Sequence, residues 1–507
     1  MKNPTSLASK NLYKSLRSLS WHELWTAHVP EFDLLDSSSR SKNAALVRAV
    51  GVVFSESGRA TEKDQVAEWL RSLLRDSDEK IRRYAMAALP KIGSVAADEE
   101  ALIQVLRSAN PEAREKKYLA QALDKIGGRA TLEIAGDLST QTLLKVSASL
   151  ARDESPTEIR LHQAVDSHLN FHINLRGRRG LEKFVRQELE ESPSVANFLN
   201  FRAMSPGLVV VAPRSNFCLS DLLALRCCGT FAFDLGSVTK LSAEEISALI
   251  SSSTTLQLFR SLTHGAIRYR LDFPSMGHQR GLIREIANRT FALCSDLLND
   301  ARNAPWTVEF HPKGKQYSVE LRPRFSPDPR FSYRKMDVPA ASHPPLAACM
   351  ARLAGNSGQD VVWDPFCGSG LELIERGRLG GVKQLLGSDR SADAIRISRS
   401  NLEASEIPVN ADFFHGDFRH AKLATNSVSQ IITNPPMGRR VPIPNLEGLI
   451  QDLFDMAARV LIPGGTLVFA NPVVPPHLNK RLALDLSERI DLGGFDVQLQ
   501  RYIKTTK

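Results

Sequence analysis

Four short stretches in the last third of the chain hold residues whose types and spacing could do chemistry. The first is Asp360-Val-Val-Trp-Asp-Pro-Phe-Cys-Gly-Ser-Gly370. Its apolar start reads as a strand, its glycines as a turn, and Leu371-Glu-Leu-Ile-Glu-Arg-Gly as a helix. Gly368 and Gly370 let the backbone approach a ligand closely. A phosphate would sit on the helix N-terminus. Here, however, Asp364 closes the strand just before the turn, which suits a cationic group better than a pyrophosphate. The second stretch, Gln384-Leu-Leu-Gly-Ser-Asp389, is another strand and ends in an acid 25 residues after Asp364, one strand–helix–strand step. An acid at that place accepts both hydroxyls of a ribose. Asp389 could instead cap the helix that starts near Ser391. The third, Asp412-Phe-Phe-His-Gly-Asp417-Phe418, closes a third strand. The fourth, Ser429-Gln-Ile-Ile-Thr-Asn434-Pro435-Pro436-Met437, is a strand followed by a proline-rich loop 70 residues after Asp364.

Asn434-Pro435-Pro436 resembles the loop of amino-group methyltransferases, and that resemblance implies an exocyclic amine on a nucleobase as the target. Such an amine is a poor nucleophile because its lone pair is delocalised into the ring. Acceptors at its N–H groups favour a pyramidal nitrogen and share the charge that develops in the transition state. The Asn434 side-chain carbonyl and the Pro435 backbone carbonyl form the expected pair of acceptors. Proline has no backbone N–H to compete for them.

Asp364-Pro-Phe-Cys-Gly-Ser-Gly370 resembles motif I of class I methyltransferases acting on nucleic acid. Asn434-Pro-Pro resembles the (Asp/Asn)-Pro-Pro-aromatic motif of amino-group methyltransferases. The resemblance implies a Rossmann-like domain over 338–507 that binds S-adenosyl-L-methionine. It implies cofactor contacts from Asp364, Phe366, Cys367, Gly368, Gly370 and Asp389, with Asp417 accepting from the adenine amino group and Phe418 flanking its ring. Asn434, Pro435, Pro436 and Met437 become the catalytic loop. Met437 departs from the pattern, because Tyr or Phe usually stands there and stacks on the base. A flexible, polarizable Met can cover a ring, but its presence leaves base identity open. Ala341-Ser-His-Pro-Pro-Leu-Ala-Ala-Cys349 resembles the stretch that lines the cofactor pocket in these enzymes, with His343 read as structural.

These stretches need strands and helices to hold them. Leu449–Leu461 reads as an amphipathic helix, Thr466–Ala470 as a fifth strand after the turn Pro463-Gly-Gly465, and Phe495–Ile503 as a final antiparallel strand. The middle of the chain alternates strands and helices. His168–Leu175, Leu208–Ala212 and Ala266–Phe273 read as strands, and Gly180–Leu189 as an amphipathic helix. Trp306–Phe310 and Tyr317–Arg322 read as a hairpin turning at Pro312–Lys315. In this order the region 165–325 resembles the α+β ferredoxin-like plus THUMP module of RNA-modifying enzymes, which implies an RNA-holding role. Arg322–Arg334 reads as a linker whose arginines could bind phosphate and whose aromatics could stack on unpaired bases. Arg334, Arg439 and Arg440 are the candidate RNA contacts.

Residues 1–150 read as helical throughout, and 150–165 as a polar linker. Tyr84-Ala-Met-Ala-Ala-Leu-Pro-Lys-Ile-Gly93 aligns with Tyr118-Leu-Ala-Gln-Ala-Leu-Asp-Lys-Ile-Gly127 at an offset of 34 residues. Helix pairs at this period resemble HEAT-type repeats, which would offer a surface to a protein partner. The expected architecture is therefore multidomain: α-helical HEAT-like repeats, a central α+β module, and an α/β Rossmann-like methyltransferase domain.

Bulk properties narrow the functional classes. A charged fraction of 24% and a hydrophobic fraction of 42% are ordinary for a globular chain. No apolar run reaches the roughly 18 residues of a membrane span, so no membrane partner is expected. The net charge of +9 favours polyanionic partners, nucleic acid first. None of the six cysteines stands in a C-x-x-C pair or beside a histidine at ligand spacing, so no metal site and a reducing, cytoplasmic setting are expected. The resemblance as a whole implies a THUMP-containing guanine-N2 methyltransferase acting on RNA, tRNA above all. Adenine-N6 or other amino-methylation, and an RNA-binding scaffold with a degenerate loop, are the alternatives.

Overall fold

The computed structural model describes residues 4–506 apart from 94–95, 109–110, 135, 137, 166–170, 275, 278, 340, 439–442 and 474–478. Two compact units divide the chain, Met1–Pro156 and Thr157–Lys507.

The first unit is helical. Helices Ala45–Ser57, Glu79–Ile92, Ala113–Ile126 and Thr140–Glu154 pack one upon the next. Lys63–Leu73 lies on the second of them and Ala96–Ser108 on the third. The 34-residue repeat falls on Glu79–Ile92 and Ala113–Ile126, which are both 14 residues long. Ile81, Ala85, Ala88, Leu89 and Ile92 are buried at helical spacing, so each copy hides one stripe against its neighbours. Between the two copies, Arg82 Nε donates to the buried carboxylate of Glu115 at 2.6 Å.

The second unit holds two sheets on a continuous apolar core. The first sheet has eight strands in the order Leu297–Asn299, Ile267–Asp272, Trp306–Lys313, Gln316–Pro323, Thr230–Val238, His172–Arg176, Leu208–Pro213 and Leu199–Ser205. The expected hairpin is present, with Lys313 opposite Gln316 across the turn. The strand expected from His168 begins at His172, and its first residues lie outside the described set. Thr230–Val238 joins the two halves of the sheet.

The stretch 150–165, expected to be a polar linker, contains the boundary between the two units but carries secondary structure on both sides of it. Helix Thr140–Glu154 runs into it, Thr157–Ile159 pairs with Thr263–Gly265, and Ala164–Val165 pairs with Phe217–Cys218. Backbone pairing supplies order that the polar side chains do not announce. The linker after the hairpin is also corrected. Arg330 is buried and donates to the carbonyls of Leu225, Cys228 and Gly229, and Arg322 pairs with Glu309 at 2.6 Å. Tyr333 is buried and donates to Glu375 Oε1 at 2.6 Å. These side chains hold protein rather than face a polyanion.

The second sheet follows, with strands β1 (Asp360–Asp364), β2 (Val382–Asp389), β3 (Ala411–His415), β4 (Val428–Thr433), β5 (Leu461–Asn471), β6 (Leu482–Asp491) and β7 (Asp496–Lys504). Their order is β3-β2-β1-β4-β5-β7-β6, with β7 antiparallel to both neighbours and β1 to β5 parallel. Parallel strands need crossovers; helices Leu371–Arg378, Ala392–Ser405 and Leu446–Val460 supply three of the four, and β3 crosses to β4 through a loop with the short 3-10 turn Phe418–His420. The last two helices start on local caps: Ser391 accepts from Ala394 N and Asn445 from Gly448 N. Strand order reverses between β1 and β4, and such switch points open a crevice at the carboxyl ends of the strands.

Buried ion pairs tie the two sheets' layers together. Arg226 makes two bonds of 2.7 Å to Glu375, which also accepts from Tyr333, and Glu188 meets Arg352 at 3.2 Å. Replacing Glu375 by Ala leaves a guanidinium and a phenol without their acceptor. We expect a loss of roughly 3 kcal/mol, the scale for breaking a buried pair, read by urea denaturation of the full chain. An unchanged midpoint would show that solvent or neighbours satisfy Arg226.

Candidate active site

The crevice at the switch point is a cleft of about 1520 Å³. Phe366, Cys367, Gly368, Asp389, Asp417, Phe418, Asn434, Pro435, Pro436 and Met437 all line it. Residues expected from four separate stretches of sequence thus meet on one surface. Arg334 also lines the cleft and sits beside Asp337. Asp364 and Gly370 lie beneath the wall rather than on it. Arg439 and Arg440 lie outside the described residues.

The turn after β1 is built by its two glycines. Both have positive φ, +51° at Gly368 and +82° at Gly370. A Cβ on Gly370 would also stand 3.3 Å from the Cβ of Ser398. Only glycine meets both demands without strain. Asp364, fully buried, supports the turn from below: its Oδ1 accepts from Phe366 N at 3.0 Å and from Thr433 Oγ1 at 2.5 Å. Its Oδ2 has no partner among the described residues. Burial pushes this carboxyl well above the usual range, and the charge of Glu372 adds to the rise.

Asp389, at the end of β2, accepts from Gly368 N at 3.0 Å through Oδ2 and from Ser391 N at 2.9 Å through Oδ1. It therefore bridges the turn and the next helix, and each oxygen keeps a second lone pair for a further donor. Asp417 is committed to Arg419: one oxygen accepts the backbone N–H at 3.0 Å, the other the guanidinium at 2.9 Å. Burial alone would raise its carboxyl, but these bonds outweigh burial and hold it below the usual range. Phe418 is buried, with its ring 4.8 Å from that of Phe366, so the pair forms an apolar wall.

At the end of β4, Asn434 donates from Nδ2 to Ser342 Oγ at 2.8 Å, and Ser342 Oγ in turn donates to Glu372 Oε1. A hydroxyl that donates to a carboxylate can only accept from its other neighbour. The amide is thereby oriented, and its buried Oδ1 is left without a partner among the described residues. Glu372 is buried as well, and burial raises its carboxyl while the Ser342 bond draws it back. Met437 is half-buried and packs against the core.

Sequence reasoning missed Glu372 and Arg178 as lining residues, and it placed Ser342 in a lining stretch without giving it a role. Ser342 lies in the stretch before motif I and Glu372 within the motif helix, but neither carries a signal that it meets Asn434. Arg178 reaches the cleft from the first sheet's layer. His343 is exposed on the cleft wall.

Residues 332–473 match the family described as RMKL-like, methyltransferase domain. A probable tRNA (guanine(10)-N2)-dimethyltransferase of Methanothermococcus thermolithotrophicus is 32% identical over 168 residues, 32% of this chain and 97% of that relative. The chain belongs to this family of methyltransferases. The tRNA (guanine(10)-N2)-dimethyltransferase of Methanothermobacter thermautotrophicus is 31% identical over 160 residues, 31% of this chain. There the chain spans only 44% of the relative's length. Among solved structures, TrmN from Thermus thermophilus matches with a TM-score of 0.52 at 20% identity, over 66% of this chain and 100% of that one. SMU.472, a methyltransferase solved with SAH, matches at 0.50 and 13% identity over 66% of this chain and 98% of that one. Family membership thus rests on the sequence match, and these structures extend the shared fold to about two thirds of the chain.

Proposed function

We propose that the chain is an S-adenosyl-L-methionine-dependent RNA methyltransferase that methylates the N2 amine of guanine in tRNA. One observation carries the reading: a buried amide oxygen, Asn434 Oδ1, without a partner among the described residues, on a residue lining a cleft whose other walls suit an adenosyl group. The residues fit that cofactor by their chemistry. Asp389 has lone pairs free for two ribose hydroxyls, and Phe366 and Phe418 offer an apolar wall to a purine, with the partnerless Oδ2 of Asp364 buried beneath the turn. When bound, the cofactor supplies an electrophilic methyl group on a sulfonium.

The chain's own part is positioning and acceptance. Asn434 Oδ1 and the Pro435 carbonyl accept from the two N–H groups of the target amine, turning its lone pair toward the methyl carbon. These two oxygens hold the two N–H groups and stabilise the positive charge that the nitrogen gains on accepting the methyl group, and the surplus proton passes to solvent. Met437 then covers the base, and the target must be unpaired or flipped to enter.

The finer assignments belong to the same reading. We infer a HEAT-like repeat domain over 1–150, a ferredoxin-like plus THUMP-like RNA-holding module over 165–325, and the methyltransferase domain over 338–507. Arg334, Arg439 and Arg440 are the proposed RNA contacts, the repeats a surface for a protein partner, and the setting is cytoplasmic. The 34-residue helix offset and the net charge of +9 support these assignments, as do the relatives named for tRNA. No described helix is long and apolar enough to cross a membrane.

The test is incubation of purified protein with labelled S-adenosylmethionine and unmodified tRNA, followed by nucleoside analysis. N2-methylguanosine or its dimethyl form is expected. N6-methyladenosine, or cofactor binding with no incorporation into any RNA, would overturn the assignment.

A further inference from the structure

The chain Glu372–Ser342–Asn434 joins three segments that are remote in sequence: the motif helix, the stretch preceding β1, and the loop after β4. Glu372 and Ser342 are 4% and 7% exposed. A buried carboxylate inside an apolar helix face is costly unless it is hydrogen-bonded. The neighbouring positions Leu371, Leu373 and Ile374 are all aliphatic and buried, so nothing about the helix itself calls for an acid there. Its charge does not hold the two sheet layers together either, because that is the work of Glu375 one turn on. The bond of Glu372 to Ser342 is therefore the feature that accounts for it.

We propose that Glu372 is a positioning residue which, through Ser342, locks the Asn434 amide with its oxygen toward the target amine. The inference rests on the reading of Asn434 as acceptor for that amine. The logic is one of hydrogen-bond direction. Ser342 has one proton to give. With Glu372 present the proton goes to the carboxylate, so Ser342 accepts from Asn434 Nδ2 and Asn434 Oδ1 must point away. Without that acceptor, Ser342 can donate to Asn434 Oδ1 instead. The amide then turns over, and an NH₂ group faces the N–H groups of the substrate, donor against donor. Substrate and cofactor would still bind, while the reactive nitrogen would lose its partner.

The experiment compares three full-length variants, Ser342→Ala, Glu372→Leu and Glu372→Gln, with wild type and Asn434→Ala. Steady-state methylation of tRNA gives kcat and KM, and calorimetry with S-adenosylhomocysteine gives cofactor affinity. Glu372→Leu and Ser342→Ala should lower kcat on the order of 10- to 100-fold, the scale of a misdirected group, with KM and cofactor affinity near wild type. Glu372→Gln keeps a carbonyl for the Ser342 proton and should restore most of kcat. A readout free of turnover comes from ¹⁵N-asparagine labelling. The Asn434 side-chain amide signal, assigned by its loss in Asn434→Ala, should move in both disruptive variants and stay near its wild-type place in Glu372→Gln.

Wild-type kcat and an unmoved amide signal in Ser342→Ala would overturn the proposal, even if Glu372→Leu fails to fold. A fall in cofactor affinity in Glu372→Leu that matches the fall in turnover would overturn it too, making Glu372 a cofactor ligand. Equal damage from Gln and Leu would also count against it, since charge rather than hydrogen-bond direction would then be the cause. Full activity of Asn434→Ala would sink the underlying reading instead, and is distinguishable from these outcomes.

Discussion

Asn434→Ala should lower turnover on the order of 10²- to 10³-fold, the range seen when one preorganised transition-state partner is removed. Affinity for S-adenosylhomocysteine should change by no more than about threefold, because the side chain is tied to Ser342 and not to Asp389, the proposed ribose acceptor. The size of the effect follows from where charge appears. The amine becomes cationic only as the new N–C bond forms, so an oxygen aimed at its N–H groups stabilises the transition state more than the bound substrate. That predicts a loss in kcat with KM for tRNA little moved. A buried acceptor without a competing donor has paid its desolvation cost during folding, which is why its removal should matter more than removal of a solvated one. Single-turnover kinetics with saturating tRNA give the chemical step directly. A wild-type rate there, or a loss of cofactor affinity as large as the loss of rate, would remove Asn434 from the role assigned to it.

The site was legible in the sequence to the extent that its chemistry is carried by residue type at the ends of strands. Asp364, Asp389 and Asn434 each follow a short apolar run, and parallel strands bring their carboxyl ends to one edge. Four local patterns therefore sufficed to gather one cleft. The relay behind Asn434 was not legible, because Ser342, Glu372 and Asn434 are joined by tertiary contact alone. A serine and a glutamate carry no sign of what they touch.

The arginines and aromatics of 322–334 show the same limit from the other side. In the sequence they look like a surface for phosphate and bases. In the fold, Arg330 fills its donors with three backbone carbonyls and Asp328, and Tyr333 is turned inward to Glu375. Residue type fixes what a side chain can do, and burial decides which of those things it does. Strand β6 escaped notice for a related reason. At the edge of the sheet it buries only Leu482 and Ile490, so its charges mask the alternation that marks a half-buried strand. Thr230–Val238 is missed because a glycine and an aspartate interrupt its apolar run, although its backbone joins both halves of the first sheet.

Asp389→Ala should weaken S-adenosylhomocysteine binding by roughly 100-fold, because hydrogen bonds to a charged group are worth about 1.5–3 kcal/mol each and two ribose hydroxyls are at stake. The acid already accepts from Gly368 N and Ser391 N. Its removal therefore has two separable consequences, loss of the ribose acceptor and loosening of the glycine turn. A cofactor product lacking the ribose 2′-hydroxyl separates them. If Asp389 holds the ribose, wild type should bind the deoxy compound more weakly than S-adenosylhomocysteine, while Asp389→Ala should bind the two alike, since the partner of that hydroxyl is already gone. If Asp389 serves only to cap the turn and the helix, removing the hydroxyl should weaken both proteins by the same factor. The sequence left these two roles as alternatives for one carboxylate. Each oxygen uses one lone pair on the backbone and keeps one for a further donor, so the geometry allows both roles at once, and calorimetry on the two proteins with the two compounds decides whether both are used.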